Sequence, residues 1–191
     1  MSSLAHKPRV AIQGERGAFS EEAAMKLLGH DIELVPQRTF AALFASIEKG
    51  AADYVLAPVA NSIAGPVQAA VELLQRSRLI ALDEVEIQID QHLIGCPDAT
   101  LDTVQIVQSH PVALAQCQHF FADHPWLRLV TADDTAGSVA EVMQRGDATR
   151  AAIAGRRAAE IYGASIIRES IQDRPDNFTR FVLLSAKGNE S

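Results

Sequence analysis

Four short clusters of the sequence place polar or charged residues beside turn-forming ones, at the ends of predicted strands and helices. The clusters are Gly14–Ser20, Pro58–Gly65, Ser109–Gln116 and Asn177–Phe181. In the first, a glycine-rich turn before a helix offers backbone N–H groups to an anion, and Arg16 adds a cation; an ordinary tight turn is the alternative. In the second, Asn61 and Ser62 follow a predicted buried strand and bring hydrogen-bonding groups without charge. The same two residues also suit a turn that caps the next helix.

The third and fourth clusters add further groups that can do chemistry. Ser109 and Gln116 are seven residues apart and would share one helical face if one helix includes both. His110 is a candidate base, but a serine beside a histidine in sequence is not a hydrolase triad, which is assembled in space. A structural role is the simpler interpretation of His110. In the fourth cluster, Thr179 and Arg180 enter a predicted buried strand, where an arginine either grips a carboxylate through two hydrogen bonds or pairs with a surface aspartate.

Composition excludes several function classes. The 191-residue chain has 17 Lys+Arg against 24 Asp+Glu, a net charge of −7 and a pI near 5.3, which is unfavourable for binding nucleic acid or an anionic membrane. No run of about 18 apolar residues exists, and the N-terminus lacks an apolar signal core, so we expect a cytoplasmic protein with no membrane partner. The spacing of Cys96 and Cys117 fits neither a CxxC redox site nor a zinc site, which predicts buried thiols and no metal. Walker, HExxH and GxSxG motifs are absent from the sequence.

Strand-like and helix-like segments alternate, which predicts α/β architecture with largely parallel sheets. The predicted strands are 9–13, 32–35, 54–59, 79–89, 92–95, 104–108, 127–131, 151–154, 165–168 and 178–185. The predicted helices run from a Ser20 cap to Leu28, from a Thr39 cap to Lys49, over 66–76, from Pro111 onward, over 135–145 and over 156–162.

A weak internal repeat accompanies this alternation. Thr39 precedes Gly50 by eleven residues and Thr135 precedes Gly146 by eleven, and an apolar strand follows each glycine. Similarities of this kind arise in any α/β chain. The alternative is that the chain forms two similar lobes, with the extended stretch 79–95 crossing between them. Ligands of such folds bind at the carboxyl ends of strands, in the crevice between lobes.

Taken together, the four clusters resemble the prephenate dehydratase family over about residues 8 to 185. The matching motifs are GxxGxFS (Gly14–Ser20), PxxNSxxGxV (Pro58–Val67), SHPxALxQC (Ser109–Cys117) and NxTRF (Asn177–Phe181). The resemblance implies a two-lobed α/β domain of the periplasmic-binding-protein type (type II), with the active site in the interlobe cleft. It implies conversion of prephenate to phenylpyruvate, with loss of carbon dioxide and water, in phenylalanine biosynthesis. It also implies a homodimer that needs no metal or organic cofactor.

The resemblance also assigns boundaries and roles. A domain over 8–185 would have lobe 1 at about 8–84 plus 175–185 and lobe 2 at about 90–170, with flexible tails at 1–7 and 186–191. Thr179 would be catalytic. The residues implied to bind substrate are Asn61, Ser62, Ser109, Gln116, Arg180 and Arg16.

Two departures from the family pattern leave alternatives open. The family usually has glutamate where this chain has Ala60, so a carboxylate is missing, and Glu15, Glu84, Asp133 and Asp134 are candidates to replace it. Many members continue into a phenylalanine-sensing ACT domain, whereas only six residues follow Ser185 here, so we expect no feedback of that kind. The alternative functions are a prephenate decarboxylase or an arogenate dehydratase on the same scaffold, or a non-catalytic small-molecule binding protein.

Overall fold

The computed structural model describes residues 7–186, in which strands and helices alternate as predicted. The strands are β1 (Arg9–Gln13), β2 (Glu33–Gln37), β3 (Tyr54–Asn61), β4 (Gly65–Pro66), β5 (Leu79–Gln88), β6 (His92–Gly95), β7 (Ile106–Ser109), β8 (Arg128–Thr131), β9 (Arg150–Ala154), β10 (Ser165–Arg168) and β11 (Phe178–Ala186). The helices are α1 (Phe19–Leu28), α2 (Phe40–Glu48), α3 (Gln68–Arg76), α4 (Pro111–Ala115), α5 (Gln118–Asp123), α6 (Thr135–Arg145) and α7 (Arg156–Tyr162).

Contacts divide the chain into two units, each with its own sheet. Among the described residues, the first unit contains 7–13, 20–87 and 178–186, and the second contains 14–19 and 88–177. The predicted lobe boundaries differ for 14–19 and for 175–177, which were expected in lobe 1. Gly17 is the reason for the first difference, because a Cβ at that position would lie 2.7 Å from the Cα of Ala158 in the second unit.

Most of the tails that were predicted to be flexible lie outside the described residues. Two of their residues are described. Lys7 forms an exposed ion pair with Asp31, with 2.6 Å between Nζ and Oδ1. Ala186 is the last residue of β11 and therefore belongs to the sheet.

The sheet of the first unit has the order β2-β1-β3-β11-β5, with β4 paired to β3. Strand β1 runs parallel to both β2 and β3, whereas β11 runs antiparallel to β3. Leu43, Val55 and Leu184 are fully buried in the core of this unit. Strand β11 therefore lies inside the sheet, between two strands that precede it by about a hundred residues.

The sheet of the second unit repeats this arrangement. Its order is β8-β7-β9-β6-β10, with β7 parallel to β8 and β9, and with β6 antiparallel to β9 and β10. In both units an early strand lies between two parallel neighbours, and an antiparallel strand follows on one side. The internal repeat in the sequence thus corresponds to two sheets of similar topology.

The prediction of largely parallel sheets is wrong, because both sheets are mixed. Parallel neighbours need a crossover connection, usually a helix. Strand β6 follows β5 through only three residues, 89–91, and β11 follows the irregular segment 169–177, so neither is preceded by a crossover helix. These two strands join their sheets in the antiparallel direction.

Local capping signals place two helices well. The side chain of Thr39 accepts a hydrogen bond from the backbone of Ala42 and starts α2 as predicted. Helix α6 spans the predicted Thr135–Arg145, with Asp134 as its N-cap and Gly146 at a φ of 62° after its last turn. A left-handed residue after a helix suits glycine, which has no Cβ to clash.

Three expectations about helix ends are wrong. Ser20 lies inside α1 and donates its hydroxyl to the Gln13 carbonyl, at 2.8 Å between oxygens, so it is not the cap. Helix α3 begins at Gln68, since Gly65 and Pro66 pair with β3 as strand β4. Ser109 ends β7, whereas Gln116 follows the five-residue helix α4, so the two do not share a helical face.

The structure also bears on membrane and metal binding. Across residues 7–186, no helix has the length and apolar character needed to cross a bilayer. In the same range, no three His, Cys, Asp or Glu side chains are grouped so that they could hold a metal ion. Cys96 and Cys117 are free and buried, as expected, and burial raises the pKa of the Cys117 thiol to about 12.

One titratable side chain of the second unit, His92, is buried. His92 is only 4% exposed, and its Nδ1 accepts a hydrogen bond from the backbone N–H of Ser170 at 3.0 Å. Burial lowers the pKa of His92, and the positive charge of Arg156 lowers it further, while Asp90 and Glu169 oppose the shift. The neutral ring is therefore the form that the folded chain prefers.

We predict that the free energy of unfolding decreases as the pH falls below about 6.5, the ordinary pKa of histidine. Below that pH the unfolded chain binds a proton that the folded chain resists, until the lowered pKa of the folded state is reached. The loss amounts to about 1.4 kcal/mol for each unit by which the pKa is lowered. His92→Asn keeps an acceptor near Nδ1 but does not titrate. Urea unfolding at pH 5 and pH 7 should show a smaller pH effect for this variant; an equal effect in both proteins would contradict the prediction.

Candidate active site

The pairing of β3 with β11 brings Asn61 and Thr179 together. The two residues are register partners, and Asn61 Nδ2 donates a hydrogen bond to Thr179 Oγ1 at 3.0 Å. The Asn61 Oδ1 accepts from the backbone N–H groups of Ile63 and Ala64, at 3.0 and 2.8 Å. These two donors fix which end of the amide carries the oxygen, so the NH₂ end must face Thr179.

This arrangement leaves the hydroxyl proton of Thr179 available. A hydroxyl has one proton and two lone pairs, and the bond from Asn61 occupies a lone pair. Thr179 makes no other side-chain hydrogen bond within residues 7–186. Its hydroxyl therefore remains able to donate a hydrogen bond or a proton.

Ser62 secures the start of β11. Its backbone N–H donates to the Phe178 carbonyl at 2.8 Å, and its Oγ accepts from the Phe178 N–H at 2.9 Å. These reciprocal bonds hold the residue directly before Thr179. Ser62 thus positions the candidate site, and its predicted contact with substrate stays a prediction.

Arg180 follows Thr179 at an irregularity in the strand pairing. Arg180 lies opposite Ala60, but Phe181 lies opposite Pro58, so Val59 is an extra residue in β3. The Arg180 side chain is exposed and makes no hydrogen bond or ion pair within the described part of the chain. The alternative in which Arg180 pairs with a surface aspartate therefore finds no support among residues 7–186.

Of the carboxylates considered as replacements at Ala60, Glu15 is half-buried in the turn before α1, Glu84 and Asp133 are exposed, and Asp134 caps α6. A different acid, Glu21, is fully buried in the first turn of α1. Because β1 and β3 are parallel, α1 starts at the edge of the sheet where Asn61 ends β3. The sequence did not indicate that Glu21 is buried, since an acidic residue in a first helical turn is ordinarily explained by the helix dipole.

In the second unit, the third motif cluster, Ser109–Gln116, forms the end of strand β7 and the short helix α4. Ser109 is fully buried and donates its hydroxyl to the Ile153 carbonyl at 2.7 Å. His110 caps α4, because its Nδ1 accepts from the Val112 N–H at 3.2 Å. The contact of His110 agrees with the simpler, structural interpretation of that residue, while the predicted contact of Ser109 with substrate stays a prediction.

Gln116 follows α4 and is held through its main chain and its side chain. Its carbonyl accepts from the Asp173 N–H at 2.7 Å. Its Oε1 accepts from Gln91 Nε2 at 3.4 Å. Gln91 lies outside every motif that the sequence pointed to, and the only signal for it is a polar residue directly before the buried strand β6.

The glycine-rich turn before α1 has a structural explanation. Gly14 and Gly17 have φ angles of 93° and 87°, which side chains rarely adopt, and Gly17 also leaves no room for a Cβ. The Arg16 side chain is exposed, and its carbonyl accepts from the Tyr162 hydroxyl at 2.9 Å. The ordinary tight turn accounts for these glycines, while anion binding by Arg16 stays a prediction.

The predicted site residues are thus distributed over both units. Asn61, Ser62, Thr179 and Arg180 lie together on β3, the turn after it, and β11 of the first unit. Ser109, Gln116 and Arg16 belong to the second unit.

A family model and two curated relatives of this chain carry dehydratase names. A family model described as prephenate dehydratase matches residues 10–189. The Arabidopsis thaliana protein named arogenate dehydratase/prephenate dehydratase 1, chloroplastic, is 37% identical over 94% of this chain and 45% of its own length. The Neisseria gonorrhoeae bifunctional chorismate mutase/prephenate dehydratase is 36% identical over 92% of this chain and 49% of its own length.

Solved structures support the fold. A prephenate dehydratase from Arthrobacter aurescens in complex with L-Phe has a TM-score of 0.85 at 28% identity, over 94% of this chain and 61% of that one. GqqA, described as a novel type of quorum quenching acylase, has a TM-score of 0.83 at 31% identity, over 94% of this chain and 64% of that one. The predicted fold class, a two-lobed α/β domain of the periplasmic-binding-protein type, is confirmed.

The coverage differs between this chain and its relatives. The chain spans about half the length of the curated relatives it matches. The match nevertheless includes nearly all of the described residues, with all four motif clusters. The chain belongs to the prephenate dehydratase family.

Proposed function

We propose that this chain converts prephenate to phenylpyruvate, with loss of carbon dioxide and water. The observation that carries the proposal is the fixed Asn61 amide, which leaves the Thr179 proton free for donation. The names of the relatives support this reaction and also name arogenate as a substrate. Dehydratases of this kind are carbon–oxygen lyases.

The reaction needs one proton at a defined position. As the ring carboxylate leaves as carbon dioxide, the electron pair of the broken C–C bond moves into the ring and expels the hydroxyl opposite. That hydroxyl takes one proton and leaves as water, and the ring becomes aromatic. Thr179 donates a hydrogen bond to the leaving oxygen. A threonine hydroxyl is a weak acid, so it relays a proton that water or a neighbouring group supplies.

Arg180 is proposed to hold a substrate carboxylate. Its guanidinium is exposed and engages no acidic side chain within residues 7–186, and a planar guanidinium binds a carboxylate through two parallel hydrogen bonds. The roles of Thr179 and Arg180 are tested by separate substitutions.

Acylase activity is the second candidate, because one solved relative is described as an acylase. An acyl hydrolase needs a nucleophile that is activated by an adjacent base. A base would accept the hydroxyl proton of Thr179, whereas the Asn61 amide donates a hydrogen bond to that hydroxyl. This polarity favours the dehydratase.

Two alternative functions on this scaffold, an enzyme and a binding protein, are distinguished by product analysis and by ligand-dependent stabilisation. A prephenate decarboxylase would retain the ring hydroxyl and give a product without an aromatic ultraviolet spectrum. A binding protein would be stabilised by prephenate without turnover. The homodimer and the cytoplasmic location expected from the sequence stay predictions, and the native mass in solution tests the first.

We predict that Thr179→Val lowers kcat for prephenate by about 10²–10⁴-fold, the usual contribution of general acid–base help. Valine keeps the volume of threonine but has no hydroxyl. Thr179→Ser is the matched control and should retain most of the activity. Circular dichroism and thermal unfolding confirm that both variants are folded. Turnover near that of the wild type in a folded Thr179→Val would remove Thr179 from the mechanism.

A second prediction separates the dehydratase from the acylase. Asn61→Asp keeps an oxygen for the N–H groups of Ile63 and Ala64 but turns the other end into an acceptor. The Thr179 proton would then be donated to the carboxylate, so we expect kcat for prephenate to fall at least about tenfold. An acylase would instead gain a base beside its nucleophile. Assays with prephenate and with an N-acylated substrate decide, and a rise in acyl hydrolysis would contradict the dehydratase assignment.

We predict that Arg180→Lys raises KM for prephenate about tenfold with a smaller change in kcat, because lysine lacks the planar fork. Arg76→Lys is the control, since Arg76 is another exposed arginine of the first unit with no ion pair inside the described range. Steady-state kinetics on both variants provide the measurement. An unfolded Arg180→Lys, or equal KM values in all three proteins, would favour a structural role for Arg180.

A further inference from the structure

Three of the four strands at the ends of the two sheets carry features that oppose pairing with another chain. These strands are β2 and β5 in the first unit and β8 and β10 in the second. Proteins protect exposed sheet edges with proline, charged residues and bulges. Strand β2 contains Pro36, which has no N–H to donate, and the pairing of β10 shifts register after Ile166. Strand β5 contains the acidic residues Asp83, Glu84 and Glu86. Strand β8 has no proline, no bulge and no acidic residue.

Strand β8 is exposed on both faces. All four of its residues, Arg128–Thr131, are exposed, and successive side chains of a strand point to opposite faces. Four of the seven large apolar residues that are exposed within residues 7–186 lie on β8 or near it. They are Leu129 and Val130 in the strand, Trp126 two residues before it, and Val112 in helix α4, which contacts β8. Apolar surface concentrated at one place marks an interaction site.

The backbone of β8 also presents hydrogen-bonding groups at its outer edge. The N–H groups of Arg128 and Ala132 donate to carbonyls in β7 or directly before it, at 2.8 and 2.9 Å. The backbone groups of successive residues in a strand alternate between its two edges, so those of Leu129 and Thr131 point away from β7. Within residues 7–186, β8 pairs with no strand other than β7. The outer edge of β8 is therefore available to a further strand.

We propose that β8 is an interface at which two copies of this chain pair their β8 strands in the antiparallel direction. In an antiparallel pair, residues of one kind of opposed position exchange both of their N–H···O bonds. Leu129 of one copy then pairs with Thr131 of the second copy, and the two-fold symmetry of a dimer repeats this pair. Val130 faces Val130 of the second copy at the symmetry axis. The two five-stranded sheets become one continuous sheet.

Charge favours a second copy in this orientation over another partner. Strand β8 begins with Arg128, and Asp133 follows its last residue by two positions. Neither side chain forms a hydrogen bond or an ion pair within residues 7–186. Antiparallel pairing sets the start of one strand against the end of the other, so each Arg128 lies near Asp133 of the second copy. Opposite charges across a strand pair are stabilising and like charges are not, so β8 is self-complementary in charge as well as in hydrogen bonding.

Leu129→Lys tests this surface, with Leu82→Lys as the matched control. Leu82 is an equally exposed leucine on the edge strand β5 of the first unit. We expect the wild type to be a dimer in solution and Leu129→Lys to raise the dissociation constant of the dimer at least about tenfold, because a lysine on an edge strand opposes pairing. Leu82→Lys should leave this constant unchanged. Sedimentation equilibrium over a wide range of protein concentrations gives the constants. A monomeric wild type, or equal constants for the two variants, would overturn the inference.

Two charge reversals test the antiparallel orientation. Arg128→Asp and Asp133→Arg each bring like charges together in the dimer, so each variant alone should dissociate at least about tenfold more readily than the wild type. An equal mixture of the two restores both contacts between opposite charges. Native mass spectrometry should therefore show a heterodimer in preference to either homodimer. Mixing does not repair a folding defect, so a mixture that gives no excess of heterodimer would contradict the antiparallel arrangement.

Thr131→Pro provides a second variant should Leu129→Lys not fold. Proline removes the N–H that points to the outer edge of β8 and leaves the bonds to β7 in place, and it is tolerated on edge strands for this reason. We expect the dissociation constant of the dimer to rise about 10- to 100-fold, because each copy loses one bond of the interface. A dimer as stable as that of the wild type would overturn the inference. These measurements involve no turnover, so their outcome is independent of the proposed function.

Discussion

The antiparallel pairing of β3 with β11 is the constraint on which the candidate site depends. It joins Asn61 to a residue 118 positions further along the chain, and no other contact described above could orient the Thr179 hydroxyl. The turn after β3 contributes as much as the strands do, since its backbone N–H groups fix the Asn61 amide and its serine holds the residue before Thr179. Backbone geometry therefore orients the Thr179 hydroxyl, the group proposed to act in catalysis.

The two units show how one topology serves different purposes. Each sheet has a strand between two parallel neighbours and an antiparallel strand beside them. In the first unit the antiparallel strand carries Thr179 and Arg180, whereas in the second unit it is β6, which is buried along its whole length. The polar residue Gln91 lies just before β6, where the buried run begins.

Much of the fold was predictable from sequence because its signals are local. Thr39 and Gly146 mark helix ends through interactions within a few residues of each other, and both were found where the sequence placed them. The motifs also named Thr179 and Asn61. The sequence could not show which hydrogen bonds the hydroxyl and amide groups form. Ser109, for example, donates its hydroxyl to the carbonyl of Ile153, a residue 44 positions away. Gln91 stayed hidden for the same reason, since its partners come from segments distant in the chain.

The position of β11 between β3 and β5 has a consequence for the order in which the protein is made. Every strand of the second sheet lies between residues 92 and 168, so that sheet can be completed before β11 leaves the ribosome. Until then β3 and β5 lack the strand that separates them in the finished sheet. At about 5–20 residues per second, the 118 residues between Asn61 and Thr179 correspond to roughly 6–24 s. During that interval the nascent chain carries unpaired strand edges, which is the state in which β proteins are most exposed to wrong pairing and to chaperone capture.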